Sequence, residues 1–211
     1  MFSVTVHLGT SFNLNMMEQD NLATAVATLP TSLRELTLIV NDVQLGSDEL
    51  KKEVLSTIQR CGQTLTRLEV DTGLSNVTIQ RVMRLPNLHT LRASRSLLST
   101  TLPPSSESAY SPVLRSLALT VANPCDWVIF LADPHPIANG VRSTLSELKL
   151  RGHQIASPTL ISKICFFRNL TRLDGWWFCH SYKCDFALTD EDLSRLSLGL
   201  PRLERLMLGH Q

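Results

Sequence analysis

Leu29-Pro30-Thr31-Ser32-Leu33-Arg34-Glu35-Leu36-Thr37-Leu38 is the stretch that decides the fold. Leu33, Leu36 and Leu38 stand in the pattern L-x-x-L-x-L. The fourth and sixth places alternate with the period of a short strand that buries one face. The first place turns inward where the chain enters that strand. With an apolar or small residue allowed at the sixth place, the pattern returns at Leu65/Leu68/Val70, Leu88/Leu91/Ala93, Leu114/Leu117/Leu119, Leu145/Leu148/Leu150, Leu170/Leu173/Gly175 and Leu203/Leu206/Leu208. From Leu33 the first anchors are spaced by 32, 23, 26, 31, 25 and 33 residues. Met1/Val4/Val6 fits the same frame. One such hexapeptide means little in a leucine-rich chain, but a series in frame marks an internal repeat. A single repeat has no partner for its apolar face, so neighbours must stack, and each fully buried anchor contributes roughly 1.5–3 kcal/mol.

The intervals between hexapeptides read as helices over Met16–Leu29, Ser47–Cys61, Asn76–Leu85, Ser157–Phe167 and Thr189–Leu200. Ser47 is placed to cap the second of these, and Leu50, Val54, Leu55 and Ile58 share one of its faces. Gly62 follows as a candidate left-handed cap. Thr189 is an N-cap candidate for the last, with Asp190, Glu191 and Asp192 favourable in the first turn and Leu193, Leu196 and Leu200 as its buried stripe. Leu29-Pro30, Leu85-Pro86 and Leu200-Pro201 stop three of the helices before the next strand. Two intervals depart from the scheme. Ser94–Val113 holds Leu102-Pro103-Pro104-Ser105-Ser106 and reads as a loop. Asn123–Ser143 reads as a brief helix followed by a surface excursion.

The whole chain, residues 1–211, therefore reads as one domain of about seven to eight irregular repeats. Met1 falls inside a repeat and Leu208 lies close to the last residue, so both end repeats are expected to expose core, leaving the isolated chain sticky or marginally stable, or paired end to end. A hydrophobic share of 43% against 18% charged residues is globular. Twenty Lys and Arg against nineteen Asp and Glu leave a net charge of +1, which gives no footprint for nucleic acid. The longest apolar run, Trp127–Ala132, is far short of the ~20 residues a membrane span requires. Met1–Asn15 lacks the basic start of a signal peptide. Five cysteines without framework spacing read as reduced thiols, which suits a cytoplasmic or nuclear protein.

Strand, helix, Leu-Pro and strand again at this spacing resembles the leucine-rich-repeat proteins of the ribonuclease-inhibitor-like kind. Leu29–Leu38, Ser111–Leu119 and Leu200–Leu208 are similar to the repeat region of fungal F-box/leucine-rich-repeat proteins. The resemblance implies an α/β solenoid, curved, with parallel strands on the concave face and helices and loops on the convex face. It also implies a non-catalytic protein-binding module, the substrate-recognition region of an F-box-type ubiquitin-ligase adaptor. No F-box is recognisable within the 211 residues, so a link to a Skp–cullin complex would require one upstream. The alternative is a freestanding repeat scaffold or regulator with no ubiquitin role.

In such a repeat the third, fifth and seventh places point away from the core. The middle rows give Thr90, Arg92 and Ser94, then Ser116, Ala118 and Thr120. The later rows give Glu147, Lys149 and Arg151, then Arg172, Asp174 and Trp176, then Arg205, Met207 and Gly209. Trp and Arg are the types enriched at interface hot spots. Glu147, Lys149, Arg151, Arg172, Asp174, Trp176 and Arg205 are accordingly the expected partner-binding surface, and a merely solvated charged face is the bland reading of the same residues. Cys179-His180-Ser181-Tyr182-Lys183-Cys184 assembles thiols and an imidazole. It lacks the four-ligand clip of structural zinc and any orienting third group for a thiolate nucleophile, so it reads as an irregular loop. No catalytic residue, metal or cofactor is expected.

Overall fold

The computed structural model describes residues 2–8, 16–40, 48–70, 76–96, 113–121, 141–153, 158–178 and 189–210. Within them strands and helices alternate along the chain. The strands are β1 (Phe2–Leu8), β2 (Leu33–Val40), β3 (Arg67–Val70), β4 (Thr90–Ser96), β5 (Ser116–Val121), β6 (Glu147–His153), β7 (Arg172–Phe178) and β8 (Arg205–His210). The helices are α1 (Met16–Ala27), α2 (Asp48–Arg60), α3 (Asn76–Val82), α4 (Pro158–Ile164) and α5 (Asp190–Gly199). All eight strands lie in one open sheet in strict chain order. Every neighbouring pair is parallel. The fold is therefore α/β with a single parallel sheet. Among the described residues no helix is long and apolar enough to cross a membrane.

Register follows the hexapeptide. Fourth-place residues pair in one unbroken row, Leu36, Leu68, Leu91, Leu117, Leu148, Leu173 and Leu206. The fifth-place row runs Thr37, Glu69, Arg92, Ala118, Lys149, Asp174 and Met207. A slip of one residue would turn the leucine row outward. Anchors at the first, fourth and sixth places are buried from Leu33 through Leu173 and form one core with residues of all five helices, among them Val26, Ile58, Ile79, Ile161 and Leu196. The helices thus cover one face of the sheet. In β8, an outer strand, Leu206 is 37% exposed and Leu203 and Leu208 are only partly buried.

Turns hold first-place anchors at the strand entrance. The N–H groups of Leu33, Leu88, Leu170 and Leu203 donate to the carbonyls of Pro30, Leu85, Phe167 and Leu200 at 3.1, 3.3, 2.9 and 3.0 Å. The second place carries a feature that side-chain pattern does not reveal. Its carbonyl accepts from the N–H groups of both the second and third places of the next repeat. Arg115 O thus takes Ser146 N–H at 2.8 Å and Glu147 N–H at 2.9 Å, and Ser146 O takes Thr171 N–H at 2.8 Å and Arg172 N–H at 3.0 Å. Polar side chains just before the anchor add a second stitch. Thr64 Oγ1 donates to Thr31 O at 2.9 Å, Asn87 Nδ2 to Gln63 O at 2.8 Å, and Asn169 Nδ2 to Ser143 O at 2.7 Å. These bonds satisfy backbone groups where the chain leaves helix for strand.

Helix packing is equally local. Buried Thr57 donates Oγ1–H to Val26 O at 3.0 Å, and Arg60 Nη1 donates to Ala27 O at 2.6 Å. Side chains of α2 therefore satisfy carbonyls at the C-terminal end of α1, where a cation is favourable. Thr189 caps α5 as expected: its Oγ1 accepts from Asp192 N–H and its own N–H donates to Asp192 Oδ2, both at 3.2 Å. Asp192 is 5% exposed, so removing the threonine hydroxyl strands a buried carboxylate contact as well as the cap. Thr189→Ala should cost about 1–2 kcal/mol, lowering the melting midpoint by roughly 2–8 °C. A differential scanning melt with an unchanged midpoint would dismiss the cap as a stabilising element.

Two expectations need correction. Leu193 is 43% exposed, while Leu196 and Leu200 alone bury the stripe of α5, which packs on α4. Gly62 is not in the left-handed region; a Cβ there would fit tightly, 3.0 Å from Leu85 Cδ2 and 3.2 Å from Gln59 O. Val54 and Ile58 are buried as expected and Leu55 is partly so. Ser47, most of 94–113 and 123–143, and the segment 179–184 lie outside the described residues.

Candidate functional site

The face of the sheet opposite the core carries the third, fifth and seventh places. All seven residues expected to bind a partner fall on three adjacent strands of this face. Glu147, Arg172 and Arg205 form one register row. Lys149 and Asp174 stand in the next, opposite Met207, and Arg151 and Trp176 in the third, opposite Gly209. Register therefore brings the seven together as one patch. The backbone places Trp176 in β7 beside Arg151.

Charges on the patch interlock across strands. Arg172 Nη1 donates to Glu147 Oε1 at 3.1 Å, and Ser116 Oγ reaches Glu147 Oε2 at the same distance. Asp174 lies between two cations, with Lys149 Nζ 3.7 Å from Oδ2 and Arg205 Nε 4.0 Å from Oδ1. Asp174 Oδ1 is buried and accepts no hydrogen bond. One strand group upstream, Glu69 sits between Arg67 and Arg92. The cations of these pairs are half exposed to solvent while the carboxylates are mostly covered, so each pair contributes only on the order of 1 kcal/mol to stability. Their effect is to hold long side chains in a fixed array.

The middle of the face differs from its flanks. In β5 the outward residues are Ser116, Ala118 and Thr120, all small. Ala118 is paired with Arg92 on one side and Lys149 on the other, and Thr120 with Arg151. A cavity of about 130 Å³ opens there, lined by Arg92, Ala118, Thr120, Lys149 and Arg151 among others. Reading the sequence for hot-spot residue types finds Lys149 and Arg151 but passes over Arg92 and Ala118. The only sequence signal for the recess is the run of small outward residues between two cationic rows.

Two described thiols lie away from this face. Cys61 is buried and its Sγ–H donates to Pro30 O at 3.3 Å. Burial pushes its thiol up, with Arg60 pulling the other way. Burial also raises Cys165, against a smaller opposing effect of Arg195. Both are thus biased to the protonated form, which is the poor nucleophile.

No family model, no curated protein and no solved structure matches this chain.

Proposed function

We propose that the chain is a leucine-rich-repeat solenoid that binds a protein partner on its uncovered strand face and performs no chemistry of its own. One observation carries this reading. Hexapeptide places map one to one onto a parallel sheet in chain order, with helices on one face and an interlocked charged array on the other. Strands are spaced ~4.8 Å apart and packed helices ~8–10 Å apart. Stacking such units bends the array so that the strand face is the inner, concave one. A concave surface with Arg, Lys and Trp positions suits an extended or convex protein segment. The specific form we favour is the substrate-recognition region of an F-box-type ubiquitin-ligase adaptor, on the strength of the sequence resemblance.

The test is comparative capture. Arg172→Ala with Trp176→Ala should weaken binding of a captured partner by at least about 30-fold, the scale of an interface hot spot. Arg81→Ala, an exposed position on α3, should leave capture unchanged. Circular dichroism of the double variant should match the parent. Equal capture by the parent and the folded double variant sinks the strand-face assignment.

A further inference from the structure

Charge is segregated between the two ends of the repeats. From the last turn of each helix through the second place of the next strand, the described residues hold nine Arg and Lys and one carboxylate, Glu204. The whole chain is nearly balanced, at twenty to nineteen, so its net charge of +1 conceals a basic edge. Part of this is helix chemistry, since Arg60 serves a carbonyl at the end of α1. Arg34, Arg115, Arg168 and Arg202 are placed differently. They lie in turns and second places beyond the helices and all four are exposed. None of them pairs with a carboxylate among the described residues. On the strand face, by contrast, Arg67, Arg92, Lys149, Arg172 and Arg205 each have an acid within 4.0 Å. Two large apolar side chains stand at the basic edge. Phe166, just past α4, is 46% exposed, and Leu198, at the end of α5, is 83% exposed. Their chain neighbours Cys165 and Gly199 approach so closely that the two helix ends adjoin. The Phe166 ring carries its own cations: Arg142 Cζ lies 4.7 Å and Lys163 Nζ 5.6 Å from its centre.

We infer that this strand-entrance edge docks on the surface of an anionic lipid bilayer. The inference uses residues other than those of the strand face and stands independently of that reading. The exposed arginines run from Arg34 in β2 to Arg202 at the entrance of β8, six strand spacings or about 29 Å along the edge. Parallel pairing in matched register keeps the strand entrances level. An extended surface therefore reaches them together, whereas a short acidic peptide meets only a few. A single nucleic-acid strand would follow the arginines but leave Phe166 and Leu198 in water. A bilayer uses both kinds of residue. Headgroup phosphates accept paired N–H donors from guanidinium groups. The two apolar side chains enter the boundary between headgroups and acyl chains. Arg and Lys stems lie along that boundary while their charged heads stay in the polar layer. The contact is peripheral and requires no spanning helix.

The experiment is cosedimentation of the full chain with two kinds of vesicle, phosphatidylcholine alone and phosphatidylcholine mixed equally with phosphatidylserine. The chain should pellet with the mixed vesicles and stay in solution with the neutral ones. Each cation near an anionic surface is worth about fivefold in binding, so Arg168→Ala with Arg202→Ala should weaken it by about 30-fold. Leu198→Ser keeps every charge and alters a side chain outside the core. It should weaken binding by at least about fivefold, the scale of one partly inserted leucine. Arg172→Ala, on the strand face, should bind as the parent does, and circular dichroism of every variant should match the parent. Failure to pellet with the mixed vesicles overturns the proposal. Equal binding by the folded Leu198→Ser variant also overturns it, because the attraction would then be diffuse charge alone. A loss in Arg172→Ala as large as in the Arg168/Arg202 variant removes the edge assignment. Poly(U) retained by a chain that does not pellet gives the edge to nucleic acid instead. Capture on the strand face is read separately, so each reading fails or stands without the other.

Discussion

Leu148→Ala should destabilise the protein by about 3–5 kcal/mol, while Leu206→Ala, at the same place of the repeat, should cost less than about 1 kcal/mol. Both leucines occupy the fourth place and pair through one continuous register row. Leu148 has no exposed surface and sits between β5 and β7, with the helices covering its face. Truncation there removes the transfer free energy of three carbons. It also leaves a void that a close-packed core fills only partly. Leu206 is 37% exposed on β8, where solvent fills the gap at little cost. Urea melts of the two variants decide the matter. Equal losses would mean that the fourth place does not form a graded core, and the row would need another explanation.

Gly199→Ala is expected to be the other severe change. On helix propensity alone the substitution should stabilise α5 by about 1 kcal/mol. Packing reverses the sign. A Cβ at this position would lie 2.6 Å from both Cβ and Sγ of Cys165, and 3.3 Å from its Cα. Cβ cannot swing aside as a terminal atom can, so α5 must retreat from the end of α4. That retreat loosens Leu196 and Leu200, which are buried at the same junction. We expect a net loss of about 2–3 kcal/mol. A double-mutant cycle identifies the cause. Cys165→Gly removes the clashing atoms, so the paired variant should be less destabilised than the sum of the two single variants. Strict additivity would show that the contact is not what makes residue 199 a glycine.

The sheet was legible because its information repeats. Leu33, Leu65, Leu88, Leu114, Leu145 and Leu170 announce strand entrances by spacing alone, and β2 to β8 begin where the hexapeptide places them. Helices were legible from their caps and stops, Thr189 and the Leu-Pro steps above all. Other features escaped because they depend on what stands opposite. Gly199 and Gly62 are ordinary in sequence, and only the approach of Cys165 and Leu85 makes them special. Leu193 obeys the helical period, yet it finds little to pack against on its side of α5. The second-place carbonyls form their ladder through backbone atoms, which leave no trace in residue type beyond the supporting hydroxyls of Thr66, Ser146 and Thr171. Of the candidate site, the Arg and Lys positions were readable from the period. The recess at Ala118 was not, since it exists only through its cross-strand neighbours.

Chain-order pairing of the strands has a consequence for how the sequence can vary. Adding a strand to this sheet closes a loop of 23 to 33 residues and no longer one. The entropy of closing a flexible loop grows only with the logarithm of its length, so the longest and shortest intervals differ by about 0.3 kcal/mol. A shift of one residue inside a hexapeptide, by contrast, would turn that strand's buried leucines to the open face. The chain is thus tolerant of insertions between strands and intolerant of them within. That is why intervals of such different length, one of them carrying Pro103-Pro104, feed strands whose register from β2 to β8 slips only near Ser96, beyond the sixth place.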